Sequence, residues 1–186
     1  MKRPVEKRPA KGWKDRVSLA LTTFGVGYFP GPTGTYGSAI GVAIYAALVI
    51  FEPRFAAHLR TDGLSAASAD GVLFIANTVF LFGFCLLGIA ASTRAIDLLG
   101  DEDASEAVVD EVMGQLVTFA FVPFTLSWPM LIAGFLLFRL FDIWKPYPIN
   151  DLQHLKGGLG VCADDLVAGV YAGLCLAIFS YIALIV

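Results

Sequence analysis

Long apolar runs separated by short polar breaks organise this 186-residue chain. Residues 12–24 (GWKDRVSLALTTF) mix charges with apolar side chains, the pattern of a short helix lying in a membrane interface. Residues 25–38 (GVGYFPGPTGTYGS) hold five glycines and two prolines, which predicts a loop without regular structure whose backbone comes close to a ligand. The next apolar run, 39–52, reaches spanning length only if its helix begins near Tyr36. From Glu52 to Asp70 the chain carries Pro53, Arg54, His58, Arg60 and Asp62, which predicts an outer loop or surface helix, and Gly71 to Ala91 is a clear second span.

Residues 92–111 are polar and acidic, and an apolar stretch from Val112 to Phe141 follows. As one helix that stretch would be about 45 Å long, too much for a hydrocarbon core of about 30 Å. Pro123 and Pro129 predict a bend at VPFTLSWP, with 104–122 running one way and 129–144 returning. A final apolar run covers Leu166 to Val186. The hairpin places eleven of the thirteen Lys and Arg residues on one side and leaves Arg54 and Arg60 on the other, as the positive-inside bias requires.

Composition agrees with a membrane protein: 57% of residues are hydrophobic, 16% are charged and the mean hydropathy is +0.72. Soluble domains carry about 25% charged residues. The expected fold is therefore all-α, a polytopic membrane bundle of four to five transmembrane segments including the Pro-broken hairpin. Residues 1–23 form a basic arm and interfacial helix, and 24–186 a single membrane-embedded catalytic domain. Lys2, Arg3, Lys7, Arg8, Lys11, Lys14 and Arg16 crowd the N-terminus without a signal-peptide apolar region, which predicts an uncleaved, cytoplasmic end beside anionic lipid headgroups. Nothing in the pattern calls for nucleic acid or an obligate protein partner.

Five carboxylates stand at the ends of apolar segments: Asp110 and Glu111, Asp142, and Asp164 with Asp165. A charged side chain at the bilayer centre costs roughly 2.5–3.5 kcal/mol on insertion scales, so acids placed here point to function. Asp110 has Gly114 four residues on and Asp165 has Gly169, so each acid shares a helix face with a residue lacking a side chain, and the two helices can cross closely. Hard carboxylate oxygens with no Cys or paired His favour Mg²⁺ over zinc, while capping of helix N-termini accounts for adjacent acids equally well. Arg139, Asp142 and Lys145 recur every three residues, and cations beside a metal suggest a phosphate. An Arg139–Asp142 ion pair with Lys145 snorkelling to the interface needs no substrate.

The glycine-rich loop offers backbone N–H groups and the hydroxyls of Thr33, Thr35 and Ser38 to phosphate oxygens, but it does not have the spacing of a P-loop or a dinucleotide fingerprint. His154 is a candidate proton shuttle, and His58 a lesser one. Cys85, Cys162 and Cys175 form no CxxC pair and read as structural. A small ion or solute transporter is the competing class, and it calls for acids near the midplane.

Taken together, FGVGYFP with GTYGS, VVDEVMGQL, FRLFDIWKPYPI and GGLGVCADDLVAG resemble, in order and spacing, the phosphatidylglycerophosphatase A family. The motifs cover most of residues 24–173. The resemblance implies an all-helical, Mg²⁺-dependent phosphatase of the bacterial inner membrane that converts phosphatidylglycerophosphate to phosphatidylglycerol and phosphate, with its site on the cytoplasmic side. By motif, Asp110, Glu111, Asp142, Asp164 and Asp165 fall on the family's acidic positions, Arg139 and Lys145 on its basic ones, and Gly34, Thr35, Gly37 and Ser38 on its first loop. The family pattern has Pro-Gly-Thr before the Gly-Ser, whereas here Thr33 precedes Gly34 and Pro32 comes one residue early. The attacking group is either a water acidified by the ion or one of the aspartates, and we favour water.

Overall fold

The computed structural model describes residues 5–101, 104–124, 126–153 and 155–185. Among them all regular structure is helical: α1 (Gly12–Thr23), α2 (Thr33–Thr61), α3 (Ala66–Leu99), α4 (Val109–Phe119), α5 (Trp128–Trp144), α6 (Ile149–Leu152) and α7 (Gly158–Ile185), with a 3-10 turn at Val26–Tyr28.

Three of these helices, α2, α3 and α7, are long and apolar enough to cross a membrane. α4 has 11 residues and α5 has 17. At 1.5 Å per residue they are about 17 Å and about 26 Å long, so α4 by itself falls well short of a core of about 30 Å. The chain does break at the proline-rich segment, ending α4 at Phe119 and restarting at Trp128 with Pro129 in the first turn of α5.

Several boundaries differ from the sequence reading. The glycine-rich segment is not an irregular loop throughout: α2 begins at Thr33, behind Pro32, and absorbs Gly34, Thr35, Gly37 and Ser38 into its first turns. Those glycines serve helix packing rather than chain reversal. α2 also continues through Pro53 to Thr61, so the segment expected as an outer loop or surface helix is, as far as Thr61, an extension of α2, because Arg54 to Arg60 is built of residues compatible with helix. α3 runs past the expected polar break to Leu99, since Ala91, Ser92, Ala95 and Leu98 keep one face buried at helical spacing. It stops at Gly100, in a left-handed conformation (φ 81°), whose N–H bonds the Ile96 carbonyl at 2.8 Å. α7 starts eight residues before Leu166, so Asp164 and Asp165 lie inside it.

α4 is the central element, and most of its residues are buried. On one side it lies on α2 in a regular register: a Cβ added at Gly37 would press on Glu111, one at Gly41 on Gln115, and Tyr45 stacks on Phe119 with ring centroids 4.2 Å apart. On the other side it crosses α7 where the sequence predicts a close crossing. A Cβ at Gly169 would strike the Gly114 carbonyl, and one at Gly114 would strike the Asp165 carbonyl and the Phe138 ring. The apolar core follows this sandwich, with Tyr45, Val112, Leu116, Phe119 and Leu176 in one cluster and Phe138, Ile149, Ala168 and Ala172 in another.

α1 forms where its pattern predicts and packs lengthwise along α3, from Asp15 on Arg94 to Phe24 on Phe84. Asp15 is 1% exposed and accepts from Arg8 (2.7 and 3.2 Å), the Lys11 backbone N–H (2.8 Å) and Arg94 (2.5 Å). Arg8 first, then the Lys11 N–H and Arg94, hold this carboxyl well below the usual carboxylate range. The Thr22 carbonyl at the far end of α1 accepts from Val108 N–H at 2.9 Å, which ties the arm to the residue that opens α4.

Candidate active site

Every acid singled out in the sequence comes to one cavity of about 110 Å³. Asp110 and Glu111 enter from the first turn of α4, where the positive end of the helix dipole favours anions. Asp142 comes from the last turn of α5, and Asp164 and Asp165 from the second turn of α7. The cavity holds several water-sized groups and is far too small for acyl chains. It lies towards one end of the bundle, near the start of α4 and the end of α5.

The acids divide by partner. Asp142 takes Arg139 of its own helix at 2.5 Å, and Asp164 takes the Lys145 ammonium at 2.7 Å. Lys145 reaches it from a left-handed C-cap (φ 47°) whose N–H bonds the Phe141 carbonyl. Partial burial works to lower the Lys145 pKa, but the hydrogen bond and charge of Asp164, with Asp165 and Asp142 beyond, outweigh it and raise the group above the ordinary lysine value. Asp110, Glu111 and Asp165 form the other set, each with a carboxylate oxygen within 4.8 Å of the others. Asp110 Oδ1, Glu111 Oε2 and Asp164 Oδ1 are buried without a hydrogen-bond partner. Buried anionic oxygens left unpaired are costly, and a donor set of carboxylates alone is one that a hard divalent cation satisfies.

The first turns of α2 border the site rather than line the cavity. A Cβ at Gly34 would lie 2.7 Å from both an Arg139 nitrogen and Glu111 Oε1, so only glycine lets α2 approach this pair. Ser38 is buried and donates to the Gly34 carbonyl at 2.8 Å, which occupies its hydroxyl within the helix. Thr35 is half-buried beside it.

His154 lies outside the described residues. His58 is exposed near the far end of α2, 3.8 Å from Asp62, and takes no part. Cys162 is buried and contacts Ser92, and all three cysteines are free. Sequence reasoning missed Gln153 and the cradle formed by Leu155, Gly157, Gly160 and Val161. The GGLG run was the available signal: Gly157 has φ 68°, and a Cβ on Gly160 would strike the Leu155 carbonyl. Thr93, whose hydroxyl accepts from Gly158 N–H at 2.9 Å, fixes the start of α7.

The sequence profile of phosphatidylglycerophosphatase A matches residues 19–180, a span that contains all of these site residues. The chain belongs to the phosphatidylglycerophosphatase A family. It is similar to a Haemophilus influenzae protein named phosphatidylglycerophosphatase A, 30% identical over 89% of this chain and 89% of that one. The Escherichia coli phosphatidylglycerophosphatase A is 37% identical over 50% of this chain and 54% of its own length. A Bacteroides thetaiotaomicron protein, named provisionally as a phosphatidylinositol-3-phosphatase, is 36% identical over 88% of this chain and 93% of its own. No solved structure matches. As a member of the phosphatidylglycerophosphatase A family the chain is a phosphatase of phospholipid metabolism, and its candidate spans agree with a bacterial membrane. The transporter alternative is not favoured.

Proposed function

We propose that this protein hydrolyses the phosphomonoester of phosphatidylglycerophosphate to phosphatidylglycerol and phosphate, at the cytoplasmic face of the inner membrane, with Mg²⁺ held by Asp110, Glu111 and Asp165. The observation that carries the reading is the cavity in which those three carboxylates converge beside Arg139 and Lys145. When bound, Mg²⁺ supplies Lewis-acid neutralisation of the charge on the transferring phosphoryl group. Arg139 and Lys145 bind the phosphate oxygens and orient the ester for in-line attack. The opening of α2, at Gly34 and Thr35, turns the positive end of its dipole to the same phosphate, while Gly37 and Ser38 serve the packing of α2 on α4. Asp164 Oδ1, buried and without a partner, takes a proton from the attacking water as its oxygen bonds to phosphorus and the ester P–O bond breaks. That proton is then available to the departing alkoxide oxygen. Asp142 holds Arg139 in place. A cavity this small admits the headgroup phosphate and leaves the acyl chains in lipid.

The α4–α5 hairpin enters the bilayer from the site side and returns to it, giving three full spans and a re-entrant pair. The test is phosphate release by purified protein in detergent, with and without Mg²⁺, from phosphatidylglycerophosphate, phosphatidylinositol 3-phosphate, phosphatidic acid and a soluble phosphomonoester. Mg²⁺-dependent turnover is expected to favour the first lipid. Asp165→Asn is expected to lose more than about 100-fold in turnover while remaining folded, because losing an outer-shell partner alone typically loses about 10- to 100-fold. Preference for the inositol lipid would move the assignment to that headgroup, and no release with Mg²⁺ would overturn the enzyme reading.

A further inference from the structure

Gln115 is fully buried among apolar neighbours, and neither its amide nitrogen nor its amide oxygen has a partner. It stands four residues beyond Glu111 on α4, so the two share a face, and that face is turned to the glycines of α2. Glu111 lies against Gly34 and Gly37, and the Cβ and Cγ of Gln115 lie against Gly41. Beyond Gln115 the same α2–α4 contact continues into the apolar cluster of Tyr45, Val112, Leu116 and Phe119. An unbonded amide in such surroundings is a loss to the fold, and Leu or Met would fill the same volume without it. A third unpaired atom on this face is Glu111 Oε2, an acceptor that lacks a donor.

From these observations we infer that Gln115 is a positioning residue for Glu111: its amide, one helical turn away on the same face, donates to Glu111 Oε2 and orients the carboxylate towards the cation. The inference rests on the metal reading of the site. The amide does not touch substrate. It acts by fixing one ligand, as groups behind metal ligands commonly do. Gly37 and Gly41, one turn apart, let α2 lie directly on Glu111 and Gln115 and hold this face of α4 in place.

The test uses the full chain in detergent, with Gln115→Leu and Gln115→Met. Metal-free thermal stability is measured first, then the Mg²⁺ concentration that gives half the maximal rise in melting temperature, then kcat and KM on the lipid. Both variants are expected to fold and to be at least as stable as wild type without metal. The half-saturating Mg²⁺ concentration should rise about tenfold or more, with a lower kcat at fixed Mg²⁺ and a lipid KM within about twofold of wild type. Unchanged Mg²⁺ half-saturation in both variants, in a wild type that does respond to Mg²⁺, overturns this inference alone. A wild type that shows no Mg²⁺ response overturns the metal reading and this inference with it. Failure of both variants to fold also contradicts it, since the amide is held to weaken the metal-free fold.

Discussion

Asp15 shows how one residue can organise a terminus. Two guanidinium groups and a backbone N–H converge on it, and it anchors an arm rich in mutually repelling cations. Its folded pKa is depressed, so its stabilising contribution is complete above the ordinary aspartate value and is lost only as pH falls through the lower folded value. The melting-temperature difference between wild type and Asp15→Asn is therefore expected to be the same at pH 7 and pH 5 and to shrink only in strong acid. A difference that vanishes by pH 5 would contradict the clamp. The five candidate acids were legible at this scale because charge at the edge of an apolar run is conspicuous. Gln115 and Gln153 were not, because an uncharged amide stands out only once the fold buries it without partners, as Gln115, or sets it in the cavity wall, as Gln153.

Helix crossings decide whether the carboxylates meet. Gly114 and Gly169 bring α4 and α7 into backbone contact, and Asp110 and Asp165 stand one turn before them. Gly114→Ala places a methyl on the Asp165 carbonyl and the Phe138 ring, and backbone cannot swing aside. The expected loss is about 1–3 kcal/mol of stability, measured by thermal or denaturant unfolding, with a fall in turnover because Asp165 is displaced. Gly71→Ala on α3 is the control: its Cβ would meet nothing within 4 Å, and stability should hold or improve slightly. The i,i+4 spacing made this crossing readable in advance. The extent of α2 and α7 was not, because glycine-rich sequence signals both flexible loops and tightly packed helix faces, and only the partner helix separates the two.

Across the whole molecule, hydropathy alone located the three long helices, whose apolar cores outlast any other pattern. The α4–α5 hairpin breaks where Pro123 and Pro129 predict, and a window of apolar residues carries no information about how deep so short a helix enters the bilayer. Sidedness is testable directly. With the site facing the cytoplasm, Ala67→Cys at the opposite end of α3 should react with a membrane-impermeant thiol reagent on intact cells, and Ser105→Cys should react only after the membrane is opened. The reverse pattern would invert the topology.

The mouth of the cavity has a sign as well as a shape. Five carboxylates line it against one lysine, with Arg139 held on Asp142, and the phosphate proposed to enter it is an anion too. Like charges at this range repel. On the proposed metal reading, the ion would enter before the lipid phosphate, and inorganic phosphate would leave before the ion. On that reading, successive headgroups would exchange at one retained ion, and turnover would outlast the removal of free Mg²⁺ by dilution.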